Sequence, residues 1–261
     1  MTTGHELRRA LAAGEVVRAA DGIYVLPGLS QARIQAAAGR GVVSHESAAV
    51  LWGIELVFPP KTVHVTIPRG ARPPVRKGVV FHQRRLPDTA VRGDVTSLLQ
   101  TVLDCCESLP FPQALAVADG ALRLDPDLLD QLLVAAGRPG RGRARRAAVA
   151  RHVSPLAANP FESAVRGVLI DAGIDGFRPQ VVIDTPGGQF RVDLADEQRR
   201  IVIEADSFSW HGDRAALDRD CRRYDELVRA GWTVLRFSWE QVMFDGAWLV
   251  AVVRDVVKRA A

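Results

Sequence analysis

Apolar and polar positions along the chain divide it into many short elements. A helix is predicted over residues 5–13, closed by Gly14, and then a hairpin over 15–26 that turns at Asp21-Gly22. Ser44-His45-Glu46-Ser47-Ala48-Ala49-Val50-Leu51-Trp52-Gly53 begins on a capping residue and ends on glycine, as a short helix does. Lys61-Thr62-Val63-His64-Val65-Thr66-Ile67 alternates with the period of a strand, and Val79-Val80-Phe81-His82 is expected beside it. Helical periodicity returns over 97–107, 113–122 and 126–136. Beyond a Gly/Arg-rich break at 137–146, Asn159-Pro160-Phe161-Glu162 opens a helix that Gly173 can close. Strands over 178–183, 189–195 and 200–206 have links short enough for an antiparallel meander. A helix over 214–230, a strand over 232–237 and a helix over 248–258 complete the order αβββαβα. The fold class expected is α/β (α+β), with a mixed α/β region preceding that core.

The same periodicity sets the direction of the acidic side chains. A period of two places Phe190, Val192 and Leu194 on one face of their strand and Arg191, Asp193 and Ala195 on the other. In the next strand Ile201, Ile203 and Ala205 oppose Val202, Glu204 and Asp206, so Glu204 and Asp206 point the same way, and Asp193 joins them if the strands pair. Acids inside apolar strands cost free energy unless partnered, and a divalent cation partners several carboxylates at once. Asp193, Glu204 and Asp206 are therefore candidate ligands for Mg2+, with Mn2+ as an alternative. Glu162 has two readings: three residues after Asn159 it completes a helix cap, or it supports the metal from outside its ligand shell. Gln180 can position an attacking water or line a strand edge. His211 can exchange protons near neutral pH or be structural. His45 and His64 read as ordinary surface or half-buried histidines.

Composition adds bounds. With 261 residues and 48% hydrophobic positions the chain can build two cores. No run approaches the ~18 apolar residues of a membrane span, and His5, Glu6, Arg8 and Arg9 make a secretory signal unexpected, so the expected location is cytoplasmic, with no membrane partner. Cys105, Cys106 and Cys221 show no metal-ligand spacing and are expected as buried thiols. The net charge of +4 is uneven: from Asn159 onward 14 basic residues face 17 acidic ones, which leaves 20 against 13 in residues 1–158. Attraction for a polyanion must then come from the front part, from the linker arginines (Arg138, Arg141, Arg143, Arg145, Arg146) or from local arginines such as Arg178, Arg222 and Arg236. Solvated faces are the alternative for each. Arg223, at i, i+3 from Asp220, is a further phosphate candidate or half of a surface ion pair.

Two resemblances sharpen this reading. Val17-Arg18, Asp21-Gly22-Ile23-Tyr24-Val25-Leu26-Pro27-Gly28, Ser44-His45-Glu46-Ser47-Ala48-Ala49 and Val63-His64-Val65-Thr66-Ile67-Pro68-Arg69 resemble AbiEi-type antitoxins. That likeness implies a partial winged-helix segment over 1–28, an AbiEi-like α/β domain over 29–136 and a toxin or operator as partner; the earlier helices of the winged helix have no counterpart here. After the Arg-rich linker and helix at 137–158, residues 159–261 resemble Vsr-like (very-short-patch-repair) endonucleases of the PD-(D/E)xK superfamily. The likeness rests on Phe177-Arg178-Pro179-Gln180, Arg191-Val192-Asp193, Ile203-Glu204-Ala205-Asp206, His211, Asp220, Arg223 and Gly231-Trp232-Thr233-Val234-Leu235-Arg236-Phe237. It implies metal-dependent hydrolysis of DNA, with Asp193 and Glu204 on the metal and His211 as general acid or base. The pattern departs at Asp206, which stands where many members carry a lysine. The alternative expectation is a non-catalytic antitoxin-like or DNA-binding regulator with a degenerate nuclease fold.

Overall fold

The computed structural model describes residues 4–206 and 214–260. Its contacts divide the chain into two units, Met1–Ser108 and Leu109–Ala261. Among the described residues no helix is long and apolar enough to cross a membrane.

The first unit opens with α1 (Gly4–Ala12) and the antiparallel hairpin β1 (Val17–Ala20) and β2 (Ile23–Val25). Gly22, with a left-handed φ of 69°, makes the turn between them. There follow α2 (Gln31–Gly39), β3 (Val42–Val43), α3 (His45–Leu51), β4 (Val63–Ile67), β5 (Val79–Gln83), β6 (Val91–Arg92), β7 (Val95–Thr96) and α4 (Leu98–Ser108). The strands form one mixed sheet in the order β5-β4-β3-β7-β6. β4 and β5 are neighbours, as their patterns predict, and run parallel, His64 lying opposite Val80 and Thr66 opposite His82. Ala36, Val43, Ala48, Val65, Ile67 and Val95 form the core between helices and sheet.

The second unit contains α5 (Phe111–Leu124), α6 (Leu128–Gly137), α7 (Arg143–His152), α8 (Pro160–Asp171), β8 (Arg178–Thr185), β9 (Gly188–Asp196), β10 (Ile201–Asp206), α9 (Arg214–Arg229), β11 (Thr233–Ser238), α10 (Trp239–Phe244) and α11 (Gly246–Ala260). β8, β9 and β10 form the antiparallel meander; α9 then crosses over to set β11 parallel to β10, giving the order β11-β10-β9-β8. This is a restriction-endonuclease-like αβββαβα core behind a mixed α/β region, as the sequence predicts. Phe161, Val165 and Leu169 of α8 and Leu249 and Val253 of α11 pack on one sheet face with Leu194, Ile201, Ile203 and Phe237. Leu227 of α9 packs on the other with Val192, Ala195, Val202 and Ile183.

Those two clusters correct the strand parity. Phe190 and Val192 pack with Ala195 and Val202, whereas Leu194 belongs to the opposite cluster with Ile203. The strict alternation therefore slips at Asp193. Gln180, whose position in the β8–β9 register is opposite Asp193, has a left-handed backbone with φ 57°. A non-glycine residue in that conformation inside a strand re-aims its neighbours, and such strained positions gather at functional sites.

Helices α5, α7 and α8 are tied by a buried ion pair: Arg166 Nη2 lies 2.8 Å from Asp119 Oδ2, and the Ser154 amide donates to Asp119 Oδ1 at 2.7 Å. Arg146 is also structural, donating to the carbonyls of Arg141 and Arg138. Close approach of α8 to α5 depends on Gly167, where a Cβ would sit 2.6 Å from Pro112 Cα. Gly167→Ala must push backbone apart and is expected to cost about 1–3 kcal/mol, read as a lower urea midpoint; an unchanged midpoint would refute this packing.

Candidate functional site

The acidic site grows from three elements that meet at the parity slip. Asn159 caps α8: its Oδ1 accepts from the Phe161 and Glu162 amides at 2.9 and 3.0 Å, and its Nδ2 donates to Glu162 Oε1 at 2.7 Å. Glu162 is almost fully buried, and its Oε2 accepts from the Ala158 amide and from Gln180 Nε2, each at 2.9 Å. Glu162 thus serves the cap and orients Gln180 at once. Burial pushes its pKa up, and the nearby Asp193 adds to that push against the hydrogen bonds it accepts. Asn159→Ala removes the cap and one of the groups holding Glu162, with an expected loss of about 0.5–2 kcal/mol in thermal or chemical denaturation.

On β9 and β10, Asp193 and Glu204 are hydrogen bonded to each other through their carboxyls. Asp193 Oδ2 also accepts from the Ala205 amide at 2.8 Å. Glu204 Oε1 is met by Arg223 Nη2 of α9 at 2.7 Å, and the same nitrogen reaches the Arg191 carbonyl at 2.5 Å. Burial, and next the Asp193 charge, raise the Glu204 pKa to about 8, with Arg223 opposing. Asp193 is raised as well, chiefly by burial. A buried Glu204 and a half-buried Asp193 that share a hydrogen bond, with one guanidinium beside them, form a pair whose shared proton a cation can replace. This oxygen donor set fits a hard divalent ion.

The other predicted residues fall around this centre. Asp206 lies close enough to raise the Asp193 pKa, but its Oδ2 is engaged by Arg236 Nε at 2.8 Å. Arg236 in turn lies 4.3 Å from the centroid of the Tyr224 ring. Arg178 pairs with Glu197 at 2.8 Å, and Arg222, Arg143 and Arg145 are exposed. His211 lies outside the described residues.

A second cluster, in the first unit, gives no signal in the sequence. His45 at the start of α3, His64 on β4 and His82 on β5 each bring one ring nitrogen within 4.8 Å of the others. Among the described residues this is the one such group of three or more His, Cys, Asp or Glu, and it can coordinate a divalent metal. His64 and His82 are half-buried, as expected for His64, whereas His45 is buried rather than at the surface, and both belong to a cluster that can coordinate a metal instead of being ordinary histidines. Register explains the gathering: offset by two along parallel strands, His64 and His82 share a sheet face, and a φ of 54° at His45 turns α3 onto the same point. The His45 and His82 rings stack with centroids 3.7 Å apart. Burial first, then neighbouring positive groups, lower His45 to about 2 and His82 to about 4; burial also lowers His64, against Glu46.

Comparison with known proteins agrees with this architecture. Residues 161–256 match the REase_MTES_1575 family, a PD-(D/E)xK-like nuclease family. Two proteins of Mycobacterium tuberculosis, the uncharacterized protein MT2308 of strain CDC 1551 / Oshkosh and the uncharacterized protein Rv2248 of strain ATCC 25618 / H37Rv, are each 31% identical over 230 residues, 85% of this chain and 83% of theirs. No solved structure matches. The chain belongs to the same family as these two mycobacterial proteins, and its second unit carries a PD-(D/E)xK-like nuclease domain.

Proposed function

We propose that the second unit is a metal-dependent endonuclease that hydrolyses DNA phosphodiester bonds, in repair or in defence. The observation that carries this reading is the mutually hydrogen-bonded pair of half-buried Asp193 and buried Glu204, set beside the strained Gln180 within a nuclease-family domain. Asp193 and Glu204 would hold Mg2+ or Mn2+, and the bound ion would lower the pKa of an attacking water and offset charge on the phosphate. Arg223 keeps Glu204 facing Asp193 and carries the positive charge nearest the pair. Glu162 fixes the Gln180 amide, which leaves Gln180 placed to orient water. Asp206 would join the ligands only when Arg236 releases it.

Arg236 and Arg223 supply positive charge where a motif lysine is missing. Arg178, Arg222, Arg143 and Arg145 are the proposed backbone contacts for DNA, and His211 the proposed general acid or base. A second reading, a non-catalytic antitoxin-like regulator with a protein toxin or an operator as partner, is favoured by one observation, the Asp206–Arg236 pair at the lysine position.

The test is cleavage of single- and double-stranded DNA, and of RNA, by the full chain with Mg2+ or Mn2+ and with chelator. Cutting of DNA that chelator abolishes supports the nuclease. Inertness on every substrate would put the regulator ahead, and cutting of RNA alone would overturn the substrate assigned.

A further inference from the structure

The histidine cluster of the first unit offers a chemistry separate from that of the acidic pair, and its surroundings point to specific ligand atoms. His64 Nδ1 lies 3.0 Å from His82 Nε2, close to the ~3.3 Å that separates two nitrogens bound to one tetrahedral zinc. The opposite nitrogen of His64 is already served: Nε2 is 3.0 Å from Thr62 Oγ1 and 3.7 Å from Glu46 Oε2. His45 repeats the arrangement, with Nδ1 2.9 Å from Ser44 Oγ and 3.9 Å from Asp104 Oδ2. Glu46 Oε2 and Asp104 Oδ2 are both buried without a hydrogen-bond partner, and the Asp104 side chain is only 1% exposed. Each orphaned oxygen thus faces a ring nitrogen, which for His64 is the one turned away from His82.

A ligating histidine usually presents one nitrogen to the metal and its other N–H to a carboxylate, which fixes the tautomer and strengthens the ligand. We propose that the first unit binds one divalent transition ion of the zinc, cobalt and nickel class through His45 Nε2, His64 Nδ1 and His82 Nε2, with Asp104 and Glu46 as the outer carboxylates. Three neutral imidazole nitrogens suit that class, whereas magnesium takes oxygen ligands and water. Small ring rotations that unstack His45 from His82 would bring the three nitrogens onto one centre. The ion would clasp α3 to β4 and β5, leaving a coordination position for water. This site is independent of the proposed nuclease centre, so either can fail alone.

The experiment is metal uptake by the full chain after chelator treatment. Titration with ZnCl2 is followed by calorimetry, and CoCl2 by visible absorption. One equivalent of zinc per chain is expected, with cobalt giving the intense bands of a four- or five-coordinate nitrogen site and MgCl2 failing to displace either metal. Uptake of that equivalent is expected to vanish in His64→Ala and His82→Ala, to weaken about 10-fold or more in Glu46→Gln, and to persist in Glu204→Gln. Absence of both zinc uptake and the cobalt bands in the native chain would overturn the site, as would uptake that survives the histidine changes. Loss in Glu204→Gln with retention in His64→Ala would place the ion on the acidic pair instead. If the alanine variants do not fold, the cobalt spectrum of the native chain decides.

Discussion

Glu204→Gln and Asp193→Asn are each expected to lower metal-dependent DNA cleavage by on the order of 10³-fold, roughly 4 kcal/mol of transition-state stabilisation. Both substitutions keep the shape of the side chain, so the meander should survive: Asp193 accepts the Ala205 amide through one oxygen, and a carboxamide retains an oxygen to do so. What they remove is the negative charge that would attract a divalent ion into a buried position. Because Asp193 and Glu204 act as one pair, the double variant should be scarcely worse than either single one. The check is single-turnover cleavage, with circular dichroism and urea midpoints to establish folding. Folded variants that cut at the native rate would remove these residues from the mechanism. Additive losses in the double variant would show that they act separately.

Without metal, the protein should lose stability as pH rises from about 5 to above 8. Glu204 has a folded pKa of about 8 against an ordinary value of 4.5, so between those values the folded chain holds a proton that the unfolded chain releases. The stabilisation from the protonated acid is fully present below the unfolded value and is lost as pH climbs through the folded one. The full window corresponds to at most about 5 kcal/mol, shared with Asp193 through their hydrogen bond. A divalent ion reverses the trend, since it replaces the proton and binds more tightly as the acid ionises. Urea midpoints between pH 5 and 9 should fall with chelator present, flatten with millimolar Mn2+, and lose most of their slope in Glu204→Gln. If the slope is the same in that variant, its source lies in other groups. If Mn2+ leaves the high-pH midpoint unmoved, the pair does not hold the ion.

Much of the molecule can be read from residue order because it depends on near neighbours. Asn159, Pro160 and Glu162 specify the start of α8 through contacts three residues long, and the short links around 186–188 and 197–200 leave β8, β9 and β10 little choice but to run antiparallel. Asp193 and Glu204 stand out for the same reason: each is an acid in an otherwise apolar segment, Glu204 buried and Asp193 half-buried. The particular partners were less legible. Arg223 looked like half of an i, i+3 pair with Asp220, yet it reaches across to Glu204, because α9 returns over the sheet face that β10 presents to it. The face assigned to Val192 failed because a period-two rule assumes an unbroken pleat, and β9 breaks it at Asp193, across from the left-handed Gln180 of β8.

The sequence by itself determined the order of elements in the αβββαβα core and the restriction-endonuclease-like character of the second unit. Each depends on local periodicity, on caps, or on charge placed within an apolar run. Only the tertiary structure decided that Glu162 also holds Gln180, that Arg236 engages Asp206, and that His45, His64 and His82 share one point. Those meetings are set by strand register, helix crossover and a few left-handed residues. Such features join positions from 18 to 37 apart in the chain, as Glu162 to Gln180 and His45 to His82 do, and no spacing pattern records them.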